Sequence, residues 1–347
     1  MPRDFNSTNP PRPGEELNAG RLAEYLGVPY IEIEQFPSGH SNLTYLVRMG
    51  ESEWVLRRPP FGSRVKSAHD MGREYRVLLP LHKVYPPAPK PLLYCEDESV
   101  LGAPFYLMER RHGLVIRKQL PDAYATSPKR CRDLSRALVD NLADLHALEL
   151  QTTGLAALGK PQGYVNRQIE GWVRRWQASQ TQPVPEMDSL AAWLAEHQPA
   201  ESGAALIHND YKLDNLLLDT TVRTPAIAAL LDWEMATVGD PLMDLGTALA
   251  YWVEPSDDEE LLAAGFSPTS HNGFFRREDF VAAYEQRSGR RVPHWEYYYA
   301  YGLFKLAVIL QQIYVRWVQG LTIDNRFASL GRSVLALARQ GAMTIRA

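Results

Sequence analysis

Ile207-His208-Asn209-Asp210-Tyr211-Lys212-Leu213-Asp214-Asn215-Leu216-Leu217-Leu218 sets an Asp and an Asn five residues apart, in a polar loop that runs into an apolar strand. Seventeen residues beyond Asn215, a second apolar run ends in Leu231-Asp232-Trp233-Glu234. The runs Asn215 to Leu218 and Ala226 to Asp232 are joined by a Thr-rich connector and read as a hairpin. Such a hairpin brings Asn215 and Asp232 together at its open end. Two hard oxygen donors on adjacent strand ends suit Mg²⁺, which binds through one or two carboxylates together with substrate phosphate. Asp210 stands outside that pair, able to accept a proton from a hydroxyl or to orient it.

N-terminal to this stretch, residues 1–20 are polar and Pro-rich (Pro2, Pro10, Pro11, Pro13) and read as a tail. Leu17 to Gly27 reads as a short helix closed by its glycine. Strand-like runs follow at Tyr30 to Phe36, Leu43 to Met49 and Glu53 to Arg57, with turn signals at Pro37-Ser38-Gly39 and Gly50-Glu51. Ser67 and Asp70 fit a capping box, and Met71, Tyr75, Leu78 and Leu79 continue at helical spacing. After a Pro-rich loop, two short strands surround Leu92 to Tyr94 and Pro104 to Met108. Beyond Gly113 the pattern turns helical, over Cys131 to Leu148 and segments 164–180, 188–197, 241–253, 278–288, 295–319 and 324–341. The hairpin is the one small β element among them. The expected fold is α+β and bilobal, with a β-rich lobe at 21–112 containing one long helix and a mostly helical lobe at 113–347.

Composition narrows the function classes. The 347 residues are 45% hydrophobic and 22% charged, which excludes a mostly disordered chain. A net charge of −4 speaks against a nucleic-acid partner. Cys95 and Cys131 lack metal-ligand spacing, and no secretory signal is visible, so a reducing compartment, the cytoplasm, is expected. Tyr297 to Val318 is apolar but carries Lys305, Gln311, Gln312 and Arg316, which points to a buried helix and no membrane partner. The run Asp257-Asp258-Glu259-Glu260 reads as a solvated loop or a helix start.

His208-x-Asp210-x-x-x-x-Asn215 followed by Asp232 resembles the catalytic loop and metal-binding Asp of the kinase fold. Trp233-Glu234 and Gly239-Asp240-Pro241-x-x-Asp244-Leu245 bring it closer to the aminoglycoside phosphotransferase family than to protein kinases. Ser41-Asn42-Leu43-Thr44-Tyr45, Val55-Leu56-Arg57-Arg58-Pro59-Pro60, Arg73-Glu74-Tyr75-Arg76-Val77-Leu78 and Arg167-Gln168-Ile169 are most similar to the phosphotransferase domains associated with acyl-CoA dehydrogenases. The resemblance runs from about residue 30 to 330.

It implies a kinase-like fold and transfer of the γ-phosphoryl group of ATP, with Mg²⁺, to an alcohol group of a small hydroxylated substrate. Asp210 and Lys212 are the implied catalytic residues, and Asn215 and Asp232 the metal ligands. His208 is expected to hold the loop, Asp240 to cap a helix with Pro241 at its first position, and Asp244 to brace the loop. Glu74 shares its helix's apolar stripe and so needs a partner or a route to solvent. The resemblance supplies Arg57 as that partner, where kinases carry Lys, while Arg58 falls on the opposite strand face. Ser41, Glu109 and Arg111 complete the implied nucleotide set. The loop at 36–42 has a single glycine; its backbone and Ser41 can contact phosphate, and it fits a plain hairpin turn nearly as well. Arg57 and this Gly-poor loop also admit a nucleotide-binding pseudokinase or scaffold. The oligomeric state is open.

Arg167, Arg174 and Arg175 lie on one face of the 164–180 helix around Gly171, beside Trp172 and Trp176. Together they either receive a partly apolar, anionic acceptor, which the resemblance implies is a hydroxyacyl-CoA or related metabolite, or form a solvated basic face over core tryptophans.

Overall fold

The computed structural model describes residues 8–37, 42–61, 70–322 and 324–346. The first part of the chain supplies α1 (Ala19–Leu26), β1 (Glu32–Gln35), β2 (Leu43–Met49), β3 (Ser52–Arg58), α2 (Met71–Leu81), β4 (Pro91–Cys95), α3 (Glu98–Leu101) and β5 (Phe105–Glu109). Next come α4 (Asp122–Ala125), α5 (Pro128–His146), α6 (Tyr164–Ser179), α7 (Pro185–Glu196) and the short strands β6 (Ala205–Ile207), β7 (Leu216–Leu218), β8 (Ile227–Leu230) and β9 (Thr237–Gly239). Five helices close the chain: α8 (Pro241–Tyr251), α9 (Glu259–Ala264), α10 (Arg277–Ser288), α11 (Trp295–Val318) and α12 (Leu330–Thr344). The class is α+β, in two compact units.

The first unit gathers Met1–Val115, Gln151–Leu155 and Asn215–Ala236. Its antiparallel sheet runs in the order β1-β2-β3-β5-β4. Alternation along β3 sorts its two arginines onto opposite faces. Leu56, with Leu43, Tyr45, Val47, Phe105 and Leu107, packs on one face against Leu22 of α1 and Leu101 of α3. Arg58 belongs to that side, with its guanidinium donating to the Leu101 carbonyl at 2.9 Å and lying over the Phe61 ring. Arg57 points the other way, toward the α2 face. Asp70 caps α2 by accepting from the Arg73 N–H at 2.8 Å, and Ser67 lies outside the described residues. The tail is not loose over its described part. Asn9 bridges Gln35, and the Tyr45 hydroxyl donates to the Glu15 carbonyl at 2.7 Å.

The hairpin β7–β8 forms as expected, with Leu216 opposite Leu230. It folds with the first unit rather than with the helices that flank it in sequence. The expectation of one small β element in the helical part is corrected. A second two-stranded sheet pairs β6 with β9, Leu206 opposite Val238. Strands of three residues are too short to show a periodicity.

The second unit holds Ile116–Leu150, Ala156–Asp214 and Thr237–Ala347. Its organising contact is the crossing of α8 and α11 at two glycines. A Cβ on Gly246 would sit 2.0 Å from the Tyr298 carbonyl oxygen, and one on Gly302 would sit 2.1 Å from that of Gly246. No side chain larger than hydrogen fits there, so the helix backbones touch. The acidic run is also corrected in part. Asp258 caps α9, but Asp257 is buried against Arg277, 2.5 Å away. No helix among the described residues is long and apolar enough to cross a membrane.

Candidate active site

In the first unit, Arg57 and Glu74 form a buried ion pair between β3 and α2. Arg57 reaches a second carboxylate, Asp232 Oδ1, at 3.1 Å. Burial works against the guanidinium, but the charges of Glu74 and Asp232 outweigh it and hold its pKa well above the ordinary value. The Glu74 carboxylate also accepts from the backbone N–H of Trp233 at 3.0 Å. One carboxylate thus ties strand, helix and the residue after Asp232 together, and only 1% of its side chain is exposed.

Asp232 has φ of +68°, in the left-handed region, where Asp is among the few tolerant side chains. The Leu231 N–H donates to the Asn215 carbonyl at 2.8 Å, so Asn215 and Asp232 flank the open end of the hairpin. Asn42 donates to the Glu234 carboxylate at 2.8 Å, fastening the start of β2 to the same segment.

This donor set fits Mg²⁺. Among the described residues no cluster of three or more His, Cys, Asp or Glu forms a protein cage for a metal. Magnesium needs none, because one or two oxygen ligands and substrate phosphate suffice. Asp232 keeps 31% of its side chain exposed, leaving an oxygen beyond its Arg57 contact to meet a cation.

In the second unit, Asp210 accepts from Lys212 Nζ at 2.8 Å on Oδ2 and from the Tyr251 hydroxyl at 2.8 Å on Oδ1. Burial alone would raise its pKa. The Lys212 ammonium, His208 and the Tyr251 hydroxyl together outweigh burial and hold it below the ordinary value. The loop is braced as expected. Fully buried Asp244 accepts from the backbone N–H groups of His208 and Asn209, each at 2.7 Å, and is 3.1 Å from His146 Nε2. The Asp210 N–H donates to His208 Nδ1 at 3.2 Å. Asp240 caps α8 by accepting from the Leu242 N–H, with Pro241 next to it.

Two residues here escape sequence reasoning. Tyr251 closes α8 and His146 closes α5, and each looks like one more apolar-stripe position. The Tyr284 hydroxyl, 2.7 Å from His146 Nδ1, orients that imidazole.

Other expected positions fare differently. Ser41 lies outside the described residues. Glu109 accepts from Arg111 Nε and from the Lys90 N–H, each at 2.7 Å, so both side chains engage the 86–90 loop and each other. The three arginines of α6 do not converge. Arg167 donates to the Gln162 and Lys160 carbonyls, Arg174 pairs with Glu170 at 3.6 Å, and Arg175 lies over the Trp172 ring at 4.7 Å. Trp172 and Trp176 are core side chains.

A family model, the phosphotransferase enzyme family, matches residues 32–295. The chain belongs to this family. Acyl-CoA dehydrogenase family member 11 of Rattus norvegicus is 34% identical over 315 residues, covering 90% of this chain and 40% of that protein. Family member 10 of Mus musculus is 34% identical over 308 residues, 88% of this chain and 28% of that protein. The chain therefore spans less than half the length of these curated relatives. A Ralstonia eutropha structure, provisionally described as an aminoglycoside phosphotransferase, has a TM-score of 0.80 and 31% identity, covering 95% of this chain and 99% of that one. Aminoglycoside phosphotransferase APH(4)-Ia, solved with AMP-PNP and hygromycin B, shares the fold at a TM-score of 0.59 and 18% identity, over 93% and 98% of the two chains.

Proposed function

We propose that this member of the phosphotransferase enzyme family is an ATP- and Mg²⁺-dependent small-molecule kinase, moving the γ-phosphoryl group to an alcohol group. The observation that carries the reading is the Asp210 carboxylate. It is anchored by two donors, sits on a loop pinned by Asp244, and precedes Asn215 by five residues. A carboxylate has about four lone-pair positions, so Asp210 can still receive an acceptor hydroxyl. Its lowered pKa makes it a weak base, suited to orienting the hydroxyl and taking its proton late, as the oxygen–phosphorus bond forms. Lys212 adds positive charge beside the reacting groups. Arg57, fixed by Glu74, grips donor phosphate, while the backbone after β5 near Glu109 and Arg111, with Ser41, contacts the nucleotide. Asn215 and Asp232 would hold Mg²⁺, which when bound neutralises phosphate oxygens.

The acceptor we propose is a small anionic metabolite with a free hydroxyl, a hydroxyacyl-CoA or a related compound. Relatives named as acyl-CoA dehydrogenase family members support this choice. The cytoplasm suits the two buried, unpaired cysteines.

The test is Mg²⁺-dependent phosphorylation of a hydroxyacyl-CoA beside kanamycin, with Asp210→Asn as control. Transfer to the acyl compound alone, lost in the variant, supports the reading. Nucleotide binding without any turnover would favour the scaffold reading.

A further inference from the structure

Lys305 enters the sequence reading only as a charge too costly for a membrane span. It lies in the middle of α11, 1% exposed, and among the described residues its ammonium has no ion-pair partner. Burying an unpaired ammonium is expensive, and a Met of similar length would fill the space without that cost. All three N–H groups have acceptors: the Asn209 carbonyl at 2.7 Å, Asn209 Oδ1 at 3.3 Å and Thr247 Oγ1 at 3.4 Å. Two of the three belong to the residue immediately before Asp210.

Asn209 has φ of +65°, a left-handed conformation that Asn tolerates better than most residues and that turns the peptide before Asp210. Its N–H is fixed by Asp244, and its side-chain oxygen also accepts from the Tyr164 hydroxyl at 3.2 Å. The peptide joining Asn209 to Asp210 is then gripped at both ends, its carbonyl by Lys305 and its N–H by His208. We propose that Lys305 is a positioning residue, whose ammonium locks this peptide plane and thereby aims the Asp210 carboxylate at the acceptor hydroxyl. The proposal rests on the reading of Asp210 given above.

The charged groups acting on Lys305 are Asp244 of α8 and Asp210 and Lys212 of the loop; burial, helped by the like charge of Lys212, outweighs the two carboxylates and brings its pKa down to about 8. From α6, Trp172 presents its ring 5.9 Å from the ammonium and Tyr164 shares the acceptor Asn209 Oδ1, while on α8 the ammonium contacts Thr247. Activity and stability should therefore respond to pH in opposite directions. Turnover needs the ammonium and falls as pH rises through about 8. Stability rises from there to about 10.4, because the unfolded chain binds a proton that the folded chain has released.

The experiment uses the full chain as wild type, Lys305→Met, Lys305→Arg and Asp210→Asn. It measures Mg²⁺-dependent ATP turnover with water as acceptor, ADP affinity by calorimetry, and thermal unfolding, each across pH. Lys305→Met should lower turnover about 10²-fold, as expected for a displaced catalytic group, with ADP affinity and the KM for ATP unchanged. Lys305→Arg should recover part of that loss and flatten the alkaline fall, since a guanidinium does not deprotonate. Wild-type turnover in Lys305→Met, with Asp210→Asn inactive, overturns the role of Lys305 and leaves that of Asp210 standing. Wild-type turnover in Asp210→Asn removes the ground of both. If Lys305→Met does not fold, Thr247→Val decides. Loss of one acceptor should move the alkaline fall to lower pH, and an unmoved fall overturns the proposal.

Discussion

Replacing Asp244 with Ala strikes the brace on which the loop depends. The carboxylate is completely buried and takes two backbone N–H groups at 2.7 Å, with His146 Nε2 at 3.1 Å. Alanine leaves these polar groups in a dry site. Each stranded donor costs about 1–3 kcal/mol, so three give about 3–9 kcal/mol, with relaxation favouring about 4. For a unit of this size each kcal/mol moves Tm by about 2–4 °C, which predicts a loss of about 8–16 °C. Scanning calorimetry reads that loss directly. Turnover measured well below the lowered Tm should fall more than about 10²-fold, because the backbone before Asp210 is no longer fixed. Nucleotide affinity should hold, since Arg57, Glu74 and Asp232 belong to the other unit. A Tm loss under about 3 °C with near-normal turnover would refute the bracing argument. It would mean that water satisfies the loop N–H groups as well as Asp244 does.

Arg57→Ala and Glu74→Ala should each be severe, at about 3–5 kcal/mol for breaking a buried pair, while the double variant falls well short of their sum. Strict additivity in urea unfolding and in ATP affinity would deny the coupling; Arg57→Lys should keep part of the activity. Tyr251→Phe removes a donor that lowers the Asp210 pKa, so the acid limb of the pH–rate profile should move to higher pH, and Lys212→Met should move it further. An unmoved acid limb in both would show that another group controls it. Arg167, Arg174 and Arg175 changed together to Gln should cost little stability, since exposed pairs contribute about 0–1 kcal/mol. The KM for a hydroxyacyl-CoA should rise with ATP affinity constant, and unchanged acceptor kinetics would turn the substrate search away from anions.

Much of the candidate site is legible because its chemistry demands particular residue types at fixed spacings. Asn215 and Asp232 stand out as oxygen donors at strand ends, Asp210 as a carboxylate in the loop before them, and Glu74 as a carboxylate on an apolar stripe that requires a partner. The resemblance to the kinase fold picks Arg57 as that partner, and alternation along β3 sets Arg58 on the other face. Tyr251, His146 and Lys305 are not legible, because their roles arise where separate helices cross. Along its own helix each resembles a core position, and Thr247 and Lys305 meet beside the close α8–α11 approach at Gly246 and Gly302. The arginines of α6 illustrate the converse. Helical spacing places them on one side, but partners at Glu170, Trp172 and the Gln162 carbonyl draw them apart.

If Asp210 and Asp232 serve one phosphoryl transfer in different capacities, ³¹P NMR of the purified chain with ATP and Mg²⁺ separates the two roles. With water as acceptor, wild type should convert the γ-phosphate signal of ATP to those of inorganic phosphate and ADP. Asp210→Asn should bind ADP with wild-type affinity and leave ATP intact. Asp232→Asn, whose side chain tolerates the left-handed backbone at this position, should lose the Mg²⁺ dependence of nucleotide binding along with turnover, with Tm little changed because the side chain is partly exposed. ATP consumption at the wild-type rate by either variant, with the same response to Mg²⁺, would contradict the account.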